Sequence, residues 1–238
     1  MKLRLLIVVV ALGTVGCAHT INYKTTDKDR WRGTRSDKIA AVQKFEDQAP
    51  AFTNDSVQID RREWTVNFRD RYKDKEIANG VSLMIATHLD QSGLFKKVVF
   101  GSSSEAEYEL GGTISKYSAM GRMNKGAYYG TLTASVLGSF LGCGIAMLAT
   151  SGVDEPMQAE VELRDVHLKD LKTGQVVWRD TINVSTNYNA FWLEADIGAT
   201  CQRADECLRR AVNEMIQRLG TSGVLNVSAT NSVQSVPK

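Results

Sequence analysis

The chain is poor in the residues that carry most enzyme chemistry. Its 238 residues hold three histidines, His19, His88 and His167, and four cysteines. No HExxH, P-loop or G-x-S-x-G spacing occurs, which removes the common zinc-hydrolase, nucleotide-binding and serine-hydrolase readings. No CxxC pair occurs either, so a zinc ribbon or a thioredoxin-type redox site has no support. Proline is scarce, at three residues. Charge of either sign is not in excess: 29 Lys and Arg stand against 27 Asp and Glu. That balance gives no footprint for nucleic acid. With 43% hydrophobic residues the chain has enough apolar material for a packed core.

What is present begins with an address. Lys2 and Arg4 precede an apolar run from Leu5 to Leu12, followed by Gly13 to Cys17, reading GTVGC. This is the layout of a secretory signal peptide, and the run is too short for a transmembrane helix. Its end resembles the lipobox of bacterial lipoproteins, in which cleavage precedes the cysteine and the cysteine carries lipid. The resemblance implies removal of residues 1–16, a lipid on Cys17 and no other cofactor. Ala18 at the next position implies sorting to the outer membrane, on its periplasmic face. Loss of Lys2 and Arg4 brings the formal charge from +2 to zero. Residues 17–37 are polar and charged and read as a lipidated, solvated tether.

A single α+β domain is expected over 38–220. Lys38 to Phe45 is a short apolar run, read as a central strand. Residues 51–75 form an irregular insertion with room for a small hairpin. Ile77, Val81, Met84, Ile85 and Leu89 recur at helical spacing and end at Gly93, a C-cap residue. His88 lies at the edge of that stripe and reads as half-exposed. Phe95 to Phe100 and Tyr108 to Tyr117 are strands, with Gly111 and Gly112 marking a bulge or a close neighbour. From Met157 to Leu163 apolar residues alternate with polar ones, then the phase slips to Val166 and Leu168, which predicts a bulge near Asp165. Asp170 to Gly174 is a turn, and Val176, Trp178, Ile182 and Val184 alternate along the return strand. Val161, Leu163, Trp178 and Ile182 should face the helices. Asn189 to Ala199 reads as loop or a short element. The last helix, Ala204 to Leu219, is closed by Gly220, with acid–base pairs four apart at Asp205–Arg209, Glu206–Arg210 and Glu214–Arg218. Residues 221–238 read as a disordered tail. The whole is a mixed sheet of about five strands with two packed helices.

Cys201 and Cys207 are candidates for a disulfide in an oxidising compartment. Six residues apart in one helix they are out of reach, so the bond needs Cys201 before the helix and Asp205 as N-cap. If Thr200 caps the helix, both thiols lie inside it and stay reduced.

Between two strands lies an uncharged stretch, Gly126 to Val153. Small residues repeat every fourth position, through Gly130, Ala134, Gly138 and Gly142, as in glycine-zipper helix packing. Tyr128 to Ala149 would make a helix of roughly 33 Å, long enough for one crossing. Strands of one sheet flank it, so both ends lie on one side and a single crossing is excluded. The remaining readings are a buried Gly-rich connection, or a helix that packs on its own domain, on a second copy, or shallowly on a membrane.

Lys38 to Phe45, Asn79 to Val98, Ala106 to Ile114, and Glu162 to Trp178 together resemble a group of periplasmic α/β lipoproteins. The group includes the N-terminal domain of the Tol-Pal propeller protein, the Pel export lipoprotein and the curli-secretion lipoprotein. It implies a non-catalytic accessory or structural part of an envelope export or assembly complex, anchored to the membrane, with a homo-oligomer or another envelope protein as partner. The uncharged insert lacks the alternation of a membrane β-hairpin, which speaks against a curli-type pore. A second class of function is a lipid- or small-molecule-binding lipoprotein with an apolar groove between helix and sheet.

Overall fold

The computed structural model describes residues 19–49, 77–121, 154–191 and 197–225. The signal peptide, Cys17, the 51–75 insertion, the small-residue ladder and residues 226–238 lie outside them.

Among the described residues, six strands and two long helices make an α+β fold. The elements are β1 (Ile39–Val42), β2 (Glu46–Asp47), α1 (Ile77–Ser92), β3 (Lys97–Phe100), β4 (Tyr108–Gly121), β5 (Asp154–Asp170), β6 (Val176–Phe191) and α2 (Ile197–Thr221). The sheet order is β3-β1-β4-β5-β6, with β2 beside β4. β1 pairs in parallel with β3 and β4 and is central, as its apolar run implies. β4, β5 and β6 are antiparallel neighbours.

Both helices pack on the sheet and on each other, α1 on the β1–β3 side and α2 across β4, β5 and β6. Ile77, Val81, Ile85 and Leu89 of α1 are fully buried, as are Leu208, Ala211, Val212, Met215, Ile216 and Leu219 of α2. These side chains meet Leu110, Ile114, Val161, Leu163, Leu168 and Ile182 from the strands. Each buried side chain of this size contributes about 1.5–3 kcal/mol. Trp178 pairs with Leu168 and is half-buried, because β6 is the edge of the sheet.

The bulge lies where the phase slip put it. Pairing shifts between Leu163↔Ile182 and Val166↔Asp180, and Asp165 has φ +49°. One extra residue on β5 returns Val166 and Leu168 to the buried face. At Gly112 a Cβ would lie 2.7 Å from the Phe45 ring and 3.1 Å from the Val166 Cα, so a close neighbour and a register shift coincide there. The turn after β5 uses the Asp170 carboxylate to accept the Lys172 and Thr173 amides, with Gly174 at φ +72°.

Three expectations are corrected. The described ends of the Asn189–Ala199 segment are regular: β6 continues to Phe191 and α2 starts at Ile197. Gly220 does not end α2, which continues to Thr221, and the left-handed residue is Gly223 at φ +76°. Gly220 instead accommodates the Trp31 ring, which a Cβ would meet at 2.6 Å. The described part of the expected tether is not free chain: residues 19–36 dock on the helices through Ile21, Tyr23, Asp29, Trp31 and Ser36, while most residues between these are exposed.

Candidate functional site

Apolar residues spaced through the polar segment start its docking. Ile21 is buried against α1, where a Cβ on Gly80 would come within 2.9 Å of it. Tyr23 and Trp31 are half-buried on the same core. Backbone bonds fix the far end: Trp31 N–H donates to the Ser92 carbonyl at 3.0 Å, and Ser36 N–H to Leu94 at 2.8 Å. Thr25 bonds Gln91 at 2.7 Å. Residues 19–36 therefore form a strap that runs alongside α1 in the helix's own direction, from Gly80 to Leu94.

Polar pairs lock the strap. Asp205 of α2 is buried, and its carboxylate accepts the Asn22 amide at 3.0 Å and the Tyr117 hydroxyl at 2.6 Å, and lies 2.8 Å from His19 Nε2. Burial pushes this carboxyl up from its ordinary range, against the pull of the Asn22, Tyr117 and His19 contacts. A second lock joins Asp29 to Arg209, with Nη1 at 2.6 and 2.8 Å from the two oxygens. Burial disfavours the charged Asp29, but Thr26, through its amide and hydroxyl, and Arg209 outweigh it and hold the carboxyl below its usual range. Glu206 takes the other edge of the Arg209 guanidinium, at 2.6 and 2.9 Å, and with burial opposing it raises the pKa of Arg209 further.

The third contact is at His88. Tyr23 lies edge-on to its ring, with the hydroxyl 3.2 Å from Nδ1. His88 is fully buried rather than half-exposed, because the strap covers that edge of α1. Burial brings its pKa down to about 4 and raises that of the Tyr23 phenol. The same hydroxyl donates to the Met84 carbonyl at 3.4 Å, so its oxygen is left to accept the Nδ1–H of a neutral ring.

Of the residues singled out in the sequence, Cys17, Gly130, Ala134, Gly138 and Gly142 lie outside the described residues. Cys201 and Cys207 are both inside α2, buried and not joined in a disulfide. The reason is the early helix start, which separates them by about 9 Å along the axis. The Cys207 thiol donates to the Val184 carbonyl at 3.2 Å, and burial raises its pKa to about 11. Asp205 does not pair with Arg209 as the spacing of four implied, since the strap claims both. Glu206–Arg210 and Glu214–Arg218 do pair. The strap's polar contacts with α2 join residues about 180 apart in sequence, and local patterning carries no trace of them.

Among the described residues no group of three or more His, Cys, Asp or Glu is placed to hold a metal, and no helix is long and apolar enough to cross a membrane. The open face of the sheet carries ion pairs, Lys116–Glu160 at 2.8 Å and Arg164–Glu162 at 2.8 Å. None of these groupings sets a nucleophile beside a base.

No family model matches the chain, and no curated protein does. Solved structures do. The protein XCC0632 of Xanthomonas campestris, of family DUF330, matches with a TM-score of 0.51 at 11% identity, over 87% of this chain and 95% of that one. This likeness shows a shared fold. Matches of lower TM-score include the PelC dodecamer of Paraburkholderia phytofirmans (0.35, 12% identity, 74% of this chain and 87% of that one). A minor lipoprotein of Acinetobacter baumannii matches at 0.30 and 12% identity, over 82% and 96% of the two chains.

Proposed function

We propose that this chain is a non-catalytic lipoprotein of the bacterial envelope, anchored at the periplasmic face of the outer membrane by lipid on Cys17. Its role is that of an accessory or structural part of an export or assembly complex. The observation that carries the reading is the GTVGC sequence ending at Cys17, followed two residues later by a folded strap. Such a layout fits an anchor joined directly to a domain. The shared fold with XCC0632 is compatible with it. The partner is a second copy or another envelope protein, and the small-residue ladder around Gly138 is the candidate contact. The competing reading needs an apolar groove between helix and sheet. Leu110, Ile114, Leu163, Leu168, Leu208 and Met215 fill that interface and are fully buried.

Cys17→Ser tests the anchor. The variant should lose lipid labelling and move from the membrane to the soluble fraction. Unchanged labelling and membrane association reject the reading.

A further inference from the structure

The fold fixes where the anchor leaves the domain. β1 is parallel to β4, so α1, which links β2 to β3, runs back along the sheet with its N-terminus toward the Gly121 end of β4. β6 also runs with β4, so α2 likewise starts at the Gly121 end. The strap, followed from Ser36 to His19, passes Leu94, Ser92, Gln91, His88 and Gly80 in turn and ends at Asp205 in the N-terminal half of α2. It therefore climbs toward the Gly121 end. Two peptide units separate Cys17 from His19, a reach of at most about 7 Å. Gly121 and Asp154, the described residues that flank the uncharged run in sequence, both lie at this same end. The opposite end is exposed and charged, with Glu105 near Lys97 and Lys172 in the turn.

We propose that the strap is an orienting clamp that holds the Gly121–Asp154 end of the sheet against the phospholipid surface receiving the Cys17 acyl chains. This rests on the lipoprotein reading above. A flexible tether would let the domain turn freely. A short connection fixed by Asp205 and Asp29 does not, and it presents one chosen end of the domain to the bilayer. The charged end, and both edges of the sheet, then point into the periplasm.

The test uses the mature, membrane-extracted protein in vesicles of phosphatidylethanolamine and phosphatidylglycerol. Asn187, near the proposed membrane end, and Thr173, in the distant turn, are both exposed. The part of β6 between them, Val176 to Asn187, alone spans roughly 36 Å at strand rise. Each is changed to Cys in a Cys143→Ser background and labelled with a fluorophore, and quenching by doxyl-labelled lipid is measured. Quenching at 187 should exceed that at 173 several-fold. A long Gly-Ser segment inserted between Ala18 and His19 should abolish the difference. Equal quenching at the two positions, or a difference that survives the insertion, overturns the clamp. Intact mass separates the two levels: a mature chain with no lipid on Cys17 rejects the functional reading and the clamp with it, whereas a lipidated chain with equal quenching rejects the clamp alone.

Discussion

Asp205→Ala is the perturbation that bears hardest on the strap. The carboxylate accepts from the Asn22 amide and the Tyr117 hydroxyl and contacts His19, at 3.0, 2.6 and 2.8 Å. Three contacts at about 1 kcal/mol net each give a loss of about 3 kcal/mol. Two corrections pull in opposite directions. Removing the acceptor of the buried Tyr117 hydroxyl raises the cost by about 1–3 kcal/mol. Against that, burial disfavours the ionised carboxyl, and truncation relieves that penalty. The expected net is about 3 kcal/mol, or a fall in Tm of about 6–12 °C for a domain of this size. Asp205→Asn keeps the shape and one acceptor oxygen, so its loss should be smaller. Urea unfolding and thermal melts of the chain from His19 onward measure the cost, and hydrogen exchange at Asn22 reports the strap locally. A Tm within about 1 °C of the parent, with Asn22 still protected, refutes the reasoning.

The other expectations concern packing and pH. Gly112→Ala places a Cβ 2.7 Å from Phe45 and 3.1 Å from the Val166 backbone, so it should destabilise by about 1–3 kcal/mol in the same unfolding assay. His88 has a folded pKa near 4 against an ordinary 6.5. Between these values the unfolded chain binds a proton that the folded chain refuses, so stability falls as pH is lowered through the window, by up to about 3 kcal/mol. Asp205, whose pKa burial raises, acts with the opposite sign just above the ordinary Asp range. His88→Leu should flatten the acid limb of a stability–pH curve.

The sheet and helices were largely legible because their burial is one-sided and periodic. Met157 to Leu168 shows both the strand and its bulge, since one inserted residue must flip every later side chain to the other face. Ile77 to Leu89 and Leu208 to Leu219 show the helices for the same reason at a period of 3.6. The strap was not legible. Its residues form only a three-residue 3-10 turn, Asp27–Asp29, and no repeating pattern. Asp29 and Asp205 look solvated in sequence, because what buries them is a partner far along the chain. Ile21, Tyr23 and Trp31, spaced through polar residues, were the available signal. His88 reads as half-exposed for the same reason, since only the strap covers it. Gly220 reads as a helix stop because the Trp31 ring that occupies its place lies far away in sequence.

Hydrogen exchange over residues 19–36 tests the central claim most directly. If the strap belongs to the fold, the Asn22, Asp29, Trp31 and Ser36 amides, each bonded in the structure, exchange far more slowly than free chain, and Asn22 is released together with Trp31 when Asp205 is replaced by Ala. Exchange of these amides at unprotected rates in the parent, with α1 and α2 protected as usual, would mean that the segment is a tether after all.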